Sequence, residues 1–426
     1  MTPAAPGARV YLDHAATTAL RPAALEAFTA SARRLGNQSS LHQSGRAAKL
    51  RVETAREALA ATLGADPSEV LFTSGGTESD NLALKGLYWA RRDAARAAGE
   101  PECDRILLTG IEHSAILDTA EWLEAHEGAR LEVVPVDPDG VVDLDAWERA
   151  LSREPGTAAV ATLMWANNEI GTIQPIARAA ALAAAHGVPF HTDAVQAFGA
   201  VPVDFRACGA TTMAVTGHKI GAPVGIGALL VRRDATLVPV QHGGGQERDI
   251  RSGTLPVALI EAFAAAATEA HAHLAAERER IGGLRDRLVA GIRALVPEAR
   301  LTGAEDVDPG TGERLPAGTR RLPGNVHFVF PGCEGDSLLF GLDMAGVESS
   351  TGSACSAGVP RPSHVLTALG VDEDGARSVQ RFSLGHTSVP ADVDTVLDVL
   401  PGVHASALRA GMAGRGPGPR TAGSHR

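Results

Sequence analysis

Cys355 stands in the stretch SSTGSACSAG, Ser349 to Gly358, where small residues leave no bulky neighbour to bury it. A structural cysteine sits among large apolar side chains and stays inert, so this thiol reads as presented, not packed. A second chemical signal is TSGGTESDNLALKG, Thr73 to Gly86, directly after an expected strand. Its small residues allow a tight turn, and free N–H groups at the start of the following helix would then face outward at the positive end of its dipole, a cradle for phosphate. Taken alone, such a turn is more often only a turn. Asp193, in HTDAVQ, and Lys219, in TGHKIGAP, each close an expected strand. In open parallel sheets ligands collect at the carboxyl ends of strands, so both residues are placed to share one crevice with the glycine turn. A phosphate site, a carboxylate and a lysine in that arrangement describe pyridoxal phosphate, whose aldehyde needs an amine and whose ring nitrogen needs a carboxylate to stay protonated. A structural ion pair accounts for either residue singly and fits the set poorly. His113, in TGIEHSA, also follows a strand, although an isolated histidine is more often structural. Arg381, in VQRFSL, has the fork to clamp a substrate carboxylate, although surface ion pairs are the commoner use of arginine.

Other chemistries lose support. HGGG at His242 to Gly245 is similar to a lipase oxyanion motif, but no G-x-S-x-G elbow accompanies it. Walker, H-E-x-x-H and complete G-x-G-x-x-G motifs are missing as well. With 50 Asp+Glu against 39 Lys+Arg and no basic stripe, nucleic acid is not an expected partner. The four cysteines have no paired spacing, which argues against a metal knuckle or a disulfide framework and for a reducing compartment. No apolar run is long enough to cross a bilayer, and a cytoplasmic protein is expected.

Elements able to position these groups follow from periodicity. Apolar runs at Glu69–Thr73, Arg105–Thr109, Leu131–Val136, Ala158–Trp165, Val188–Asp193, Thr211–Thr216 and Gly227–Val231 read as buried strands. Between them lie helical patterns such as Ser44–Leu63, so the fold class is α/β, a mostly parallel sheet with helices on both faces. Beyond Thr254 come a long Ala-rich helical stretch, NVHFVF, a helix carrying Leu338, Leu339 and Leu342, and VQRFSL, which suggest a small α+β domain. The expected division is 1–20 with the small domain, 21–265 as the large domain, 266–410 as the small domain and 411–426 as a disordered tail. The segment Thr302–Pro323, rich in Gly, Pro and charge, reads as a solvent loop.

From YLDHAATT at Tyr11 to about Leu400, the chain resembles the NifS/IscS-like group I cysteine desulfurases, class V of the pyridoxal-phosphate aminotransferases. The likeness is carried by FTSGGTESDNLALKG, EHSAILDT, NNEIGTIQPI, HTDAVQ, TGHKIGAPVGIGALLVRR, HGGGQERDIRSGT, SSTGSACSAG and RFSLG, in that order. It implies fold type I with a seven-stranded sheet, and pyridoxal 5'-phosphate as cofactor. It further implies Lys219 as the Schiff-base lysine, Asp193 on the pyridine nitrogen, His113 stacked on the ring and Gln196 at its phenolic oxygen. Gly76, Thr77, Thr216 and His218 would hold the phosphate, joined by Thr254 from the other subunit of a homodimer. Asn168 and Arg381 would receive the substrate carboxylate, and Cys355 would be the nucleophile. The implied activity converts L-cysteine to L-alanine and passes sulfur, as a persulfide on Cys355, to an acceptor such as an iron–sulfur scaffold or a tRNA thiolase. No resident metal is expected, any contact of Cys355 with an iron–sulfur cluster being transient. A selenocysteine lyase or another class V aminotransferase is the alternative activity, and a non-catalytic sulfur-relay subunit the second. The sequence departs from the family pattern at Gln38, Gly221, Ala222, Val224 and His386.

Overall fold

A computed structural model describes residues 9–351 and 362–414. Cys355 and the segment 415–426 lie outside the described residues. In chain order the elements begin with β1 (Val10–Tyr11), α1 (Pro22–Ala32), α2 (Gln43–Thr62), β2 (Val70–Thr73), α3 (Gly76–Ala98), β3 (Arg105–Thr109), α4 (Ser114–Glu127) and β4 (Arg130–Val134). Next are α5 (Leu144–Ser152), β5 (Ala158–Thr162), α6 (Ile176–Ala185), β6 (Phe190–Asp193), α7 (Phe205–Cys208), β7 (Thr212–Thr216), β8 (Gly227–Val231) and α8 (Val257–Leu295). The last are β9 (Arg300–Leu301), β10 (Asn325–Val329), α9 (Gly335–Met344), β11 (Val347–Glu348), α10 (His364–Ala368), α11 (Glu373–Arg377), β12 (Val379–Ser383) and α12 (Pro390–Gly414).

All seven expected strands join one seven-stranded sheet of order β2-β8-β7-β6-β5-β3-β4. Only β8 runs against the rest, pairing antiparallel with both β2 and β7. The six co-directional strands therefore end at one edge. Strands β2, β3, β5, β6, β7 and β8 are buried throughout, which is why they read as unbroken apolar runs instead of alternating ones. At Gly227 a Cβ would sit 2.7 Å from the Gly75 Cα and 2.8 Å from the Val215 carbonyl oxygen, so the turn after β2 can lie against β8 only because that residue has no side chain.

A second core lies at the other end of α8, a helix of 39 residues and about 58 Å. Ala262, Phe263 and Ala266 pack into the sheet's core, whereas Ile281, Leu288 and Ile292 pack with β10, β12, α9 and α12. Val10 and Leu12 belong to this second cluster, and β1 pairs with β11. The expected domain boundary at 265/266 falls inside α8.

Two expectations need correction. The segment Thr302–Pro323 is a solvent loop only in its middle: Pro309–Arg314 are exposed, but Ala304, Arg321 and Leu322 are buried. Asp306 accepts the backbone N–H groups of Gly318, Thr319, Arg320 and Arg321 at 3.0, 3.0, 2.7 and 3.1 Å, and the Arg285 Nη1 at 2.8 Å. One carboxylate thus satisfies a run of donors that would otherwise need water. Burial, reinforced by neighbouring Arg285, lowers the Arg321 guanidinium to about 9. The chain at Gly411–Gly414, expected to be disordered, is the last turn of α12.

Candidate active site

The carboxyl-end edge of the sheet borders a cavity of about 270 Å³. Gly76 and Thr77 follow β2, His113 follows β3, Asn168 follows β5, Asp193 ends β6, and Thr216 and Lys219 lie at and just beyond the end of β7; all border the cavity. So do Gln196, His218 and Arg381. Thr254 is exposed and does not line this cavity of its own chain.

Lys219 Nζ donates to the carbonyl oxygens of Ala15 and Ala16, the latter at 2.7 Å, and Gln196 Nε2 donates to Ala15 O at 3.0 Å. The N-terminal strap therefore closes one side of the site. His113 caps α4, its Nδ1 accepting the Ala115 N–H at 3.1 Å. Asp193 Oδ1 accepts the Val195 N–H at 2.8 Å. His218 Nδ1 lies 3.4 Å from Thr17 Oγ1, and burial together with nearby Lys219 lowers its imidazole to about 4. At Gly221, one departure from the family pattern, φ is +87° and a Cβ would lie 2.7 Å from Arg21 Cγ, so the turn after Lys219 needs glycine.

Buried carboxyls crowd the floor. Burial, with Asp193 and Glu112 nearby, raises Asp80; burial raises Asp193 too, opposed by His113 and Lys219; and burial lifts Glu112 to about 7. Asp80 Oδ1 is held by His191 Nε2 at 3.2 Å, and atoms of Asp80, His113 and Asp193 all lie within 4.8 Å of one another. Such a floor is short of positive charge. A protonated pyridine nitrogen against Asp193 would supply it, whereas neutral ligands would not. On the same cavity α3 starts at Gly76 with no side-chain cap, so its first N–H groups are available to a phosphate. The residues present fit pyridoxal phosphate at both ends.

Across the cavity, Arg381 Nη1 donates to Asn168 O at 3.0 Å and Nη2 to Asp13 Oδ1 at 2.8 Å. The chain on either side of the Cys355 segment is fastened to the same elements. Ser350 and Arg381 exchange backbone N–H to carbonyl hydrogen bonds of 3.0 and 2.6 Å. Ser363 Oγ donates to Glu169 Oε2 at 2.6 Å, and His364 Nε2 to Glu112 O at 2.9 Å. Sequence reasoning gave no role to Asp13, Asp80, Glu112, Ala15 or Ala16. Asp80 had a readable signal, because it interrupts the buried stripe of Ala83, Leu84 and Leu87 on α3.

A lysine, a carboxylate and a phosphate cradle at the strand ends of this sheet define a pyridoxal-phosphate enzyme of fold type I. The sequence model of the aminotransferase class-V family matches residues 10–396. An IscS-like cysteine desulfurase of Mycobacterium tuberculosis H37Rv is 55% identical over 406 residues, 95% of this chain and 99% of that one. Among solved structures, a NifS-like protein superposes with a TM-score of 0.80 at 32% identity, covering 93% of this chain and 99% of its own. Another, SspA in complex with cysteine, has a TM-score of 0.71 at 31% identity over 89% of this chain and 99% of that one. The chain belongs to the class-V aminotransferases and, within them, to the IscS-like cysteine desulfurases.

Proposed function

We propose that the protein takes sulfur from L-cysteine and leaves L-alanine, with Cys355 as sulfur acceptor. The observation that carries this reading is convergence: Lys219, Asp193 and His113 share one cavity with Arg381, and both stems of the Cys355 segment are hydrogen-bonded to the elements that bear Arg381 and Asn168. Gly76, Thr77, Thr216 and His218 would hold the phosphate and Asp193 the ring nitrogen. Bound pyridoxal phosphate supplies an aldehyde carbon for an amine and a ring that accepts electrons from the substrate's Cα. Arg381, with Asn168, orients the substrate by its carboxylate. Lys219, once released from the Ala15 and Ala16 carbonyls, takes the Cα proton. His113, beside the ring-binding aspartate, would exchange a proton with the thiol. The Cys355 thiolate forms an S–S bond to the substrate sulfur as the Cβ–S bond breaks. That electron pair stays with carbon, which gains a proton to become the methyl group of alanine.

Thr254, exposed on its own subunit, would complete the phosphate site of a second copy in a homodimer. Residues 1–20 would move with the small domain, a division supported by the packing of Val10 and Leu12 in the second core. A protein or tRNA-modifying acceptor then receives the persulfide sulfur.

The test is direct. Holoenzyme given L-cysteine and a reductant should release alanine and sulfide in equal amounts, and with the reductant left out mass spectrometry should find one added sulfur on Cys355. Cys355→Ala should keep the cofactor's absorbance while sulfide release falls by about a hundredfold or more. Full activity in that variant would refute the assignment.

A further inference from the structure

Arg381 is only 3% exposed, and its guanidinium is already engaged on two sides, by the Asn168 carbonyl and by the Asp13 carboxylate. Its Nε is buried and has no hydrogen-bond partner among the described residues. A guanidinium offers five N–H donors in a fixed fork, so donors remain for an entering carboxylate on the cavity side. That carboxylate meets an arginine on which an anion already sits. Asp13 cannot drift away, because its backbone bridges to Ser383 on β12, two positions from Arg381.

Two anions on one cation are held less firmly than one, since each partly neutralises the arginine and repels the other. Substrate and product of the reaction carry the same α-carboxylate. An unopposed arginine would grip both alike, which is uniform binding and raises no chemical rate. We propose that Asp13 is a resident competitor on Arg381: it positions the guanidinium and at the same time weakens its hold on any α-carboxylate, so that alanine leaves after its sulfur has been taken. The inference rests on Arg381 as the carboxylate receiver proposed above.

Asp13→Asn separates the two halves of this role, since the amide oxygen still accepts from Nη2 but the charge is gone. L-alanine is titrated into wild-type and variant holoenzyme, followed by the cofactor's absorbance. The dissociation constant should fall about tenfold in the variant, the effect of one screened charge on a neighbouring anion. The KM for L-cysteine should fall with it, and kcat should fall as release slows. L-alaninamide, which lacks the carboxylate, should bind both proteins equally. Should the asparagine variant fail to accumulate, Asp13→Ser makes the same comparison. An unchanged or raised alanine dissociation constant, or equal tightening of alaninamide, overturns the proposal. Wild-type activity on L-cysteine is measured first: its absence overturns both readings, whereas an active wild type with unaltered alanine affinity in the variant overturns the competitor alone.

Discussion

The floor of the cavity and the wall that faces it are built in different ways. On the floor, Gly76, Thr77, His113, Asp193, Thr216 and Lys219 each lie within a few residues of a strand end, so the ladder of the seven-stranded sheet places them. The facing wall joins Asp13, Asn168 and Arg381, whose hydrogen-bonded pairs are separated by 368 and 213 positions in the chain; β12 carries Arg381 in a short ladder, but one side-chain contact ties it to Asn168, and one ion pair beside a lone backbone bridge ties β12 to Asp13. A ladder fixes position through many small bonds, while one ion pair fixes it through a single strong one. Damage to the floor should therefore register as stability and protonation, and damage to the wall as substrate binding.

The largest expected effect is on the floor, at Glu112. Its Oε1 accepts from the Thr109 hydroxyl at 2.7 Å and the Met164 N–H at 3.2 Å, while Oε2 has no partner among the described residues. Burial raises this carboxyl from 4.5 in the unfolded chain to about 7 in the fold. A raised acid leaves stability intact below the unfolded value and drains it as pH climbs through the folded one. Glu112→Gln keeps the Oε1 acceptor and removes the titration. Between pH 4.5 and 8 the wild type should lose about 3 kcal/mol of unfolding free energy relative to the variant, read from denaturant midpoints across pH. Parallel pH profiles would place the charge penalty elsewhere on the floor.

The wall should respond in binding. Arg381→Lys keeps the charge but cannot serve Asp13, Asn168 and a substrate carboxylate from one planar fork. Charge-assisted hydrogen bonds are worth roughly 1.5–3 kcal/mol each, so the KM for L-cysteine should rise about tenfold or more, with a smaller change in kcat. A fall in kcat at constant KM would instead assign Arg381 to the chemical step.

The floor was legible in the sequence and the wall much less so. Buried strands announce themselves as apolar runs such as RILLT and GALLV, and residues just after them inherit a place at the sheet edge. No local pattern ties Asp13 to Arg381, because the pairing depends on β1, β11 and β12 meeting in the second core. Composition likewise misread Thr302–Pro323, since charge counts as exposure until one knows that Asp306 collects four N–H groups and that Arg321 lies inside. The proposed roles of Gly76, Asp193 and Lys219 came from strand ends. Those of Asn168, Thr254 and Gln196 came from resemblance alone.

The smallest effect concerns the connection from β8 to α8, which belongs to neither wall and is anchored by several side chains, Glu247, Arg248 and Arg251 among them. Glu247 accepts Arg56 Nη1 and Nη2 at 2.7 and 2.8 Å and the Phe72 N–H at 2.8 Å, anchoring the segment to α2 and β2. Just beyond it Arg248 and Asp249 have φ of 55° and 58°, the two non-glycine residues with positive φ among the described residues. Aspartate tolerates this conformation better than most, and a β-branched residue pays about 1–2 kcal/mol there. Asp249→Gly relieves the backbone but adds freedom to the unfolded chain, so its net gain should stay below about 1 kcal/mol. Asp249→Val should lose about 1–2 kcal/mol in the same denaturant series. Equal midpoints for the two variants would mean that the left-handed turn relaxes on substitution, so that the segment is held less rigidly than the ladder holds the floor.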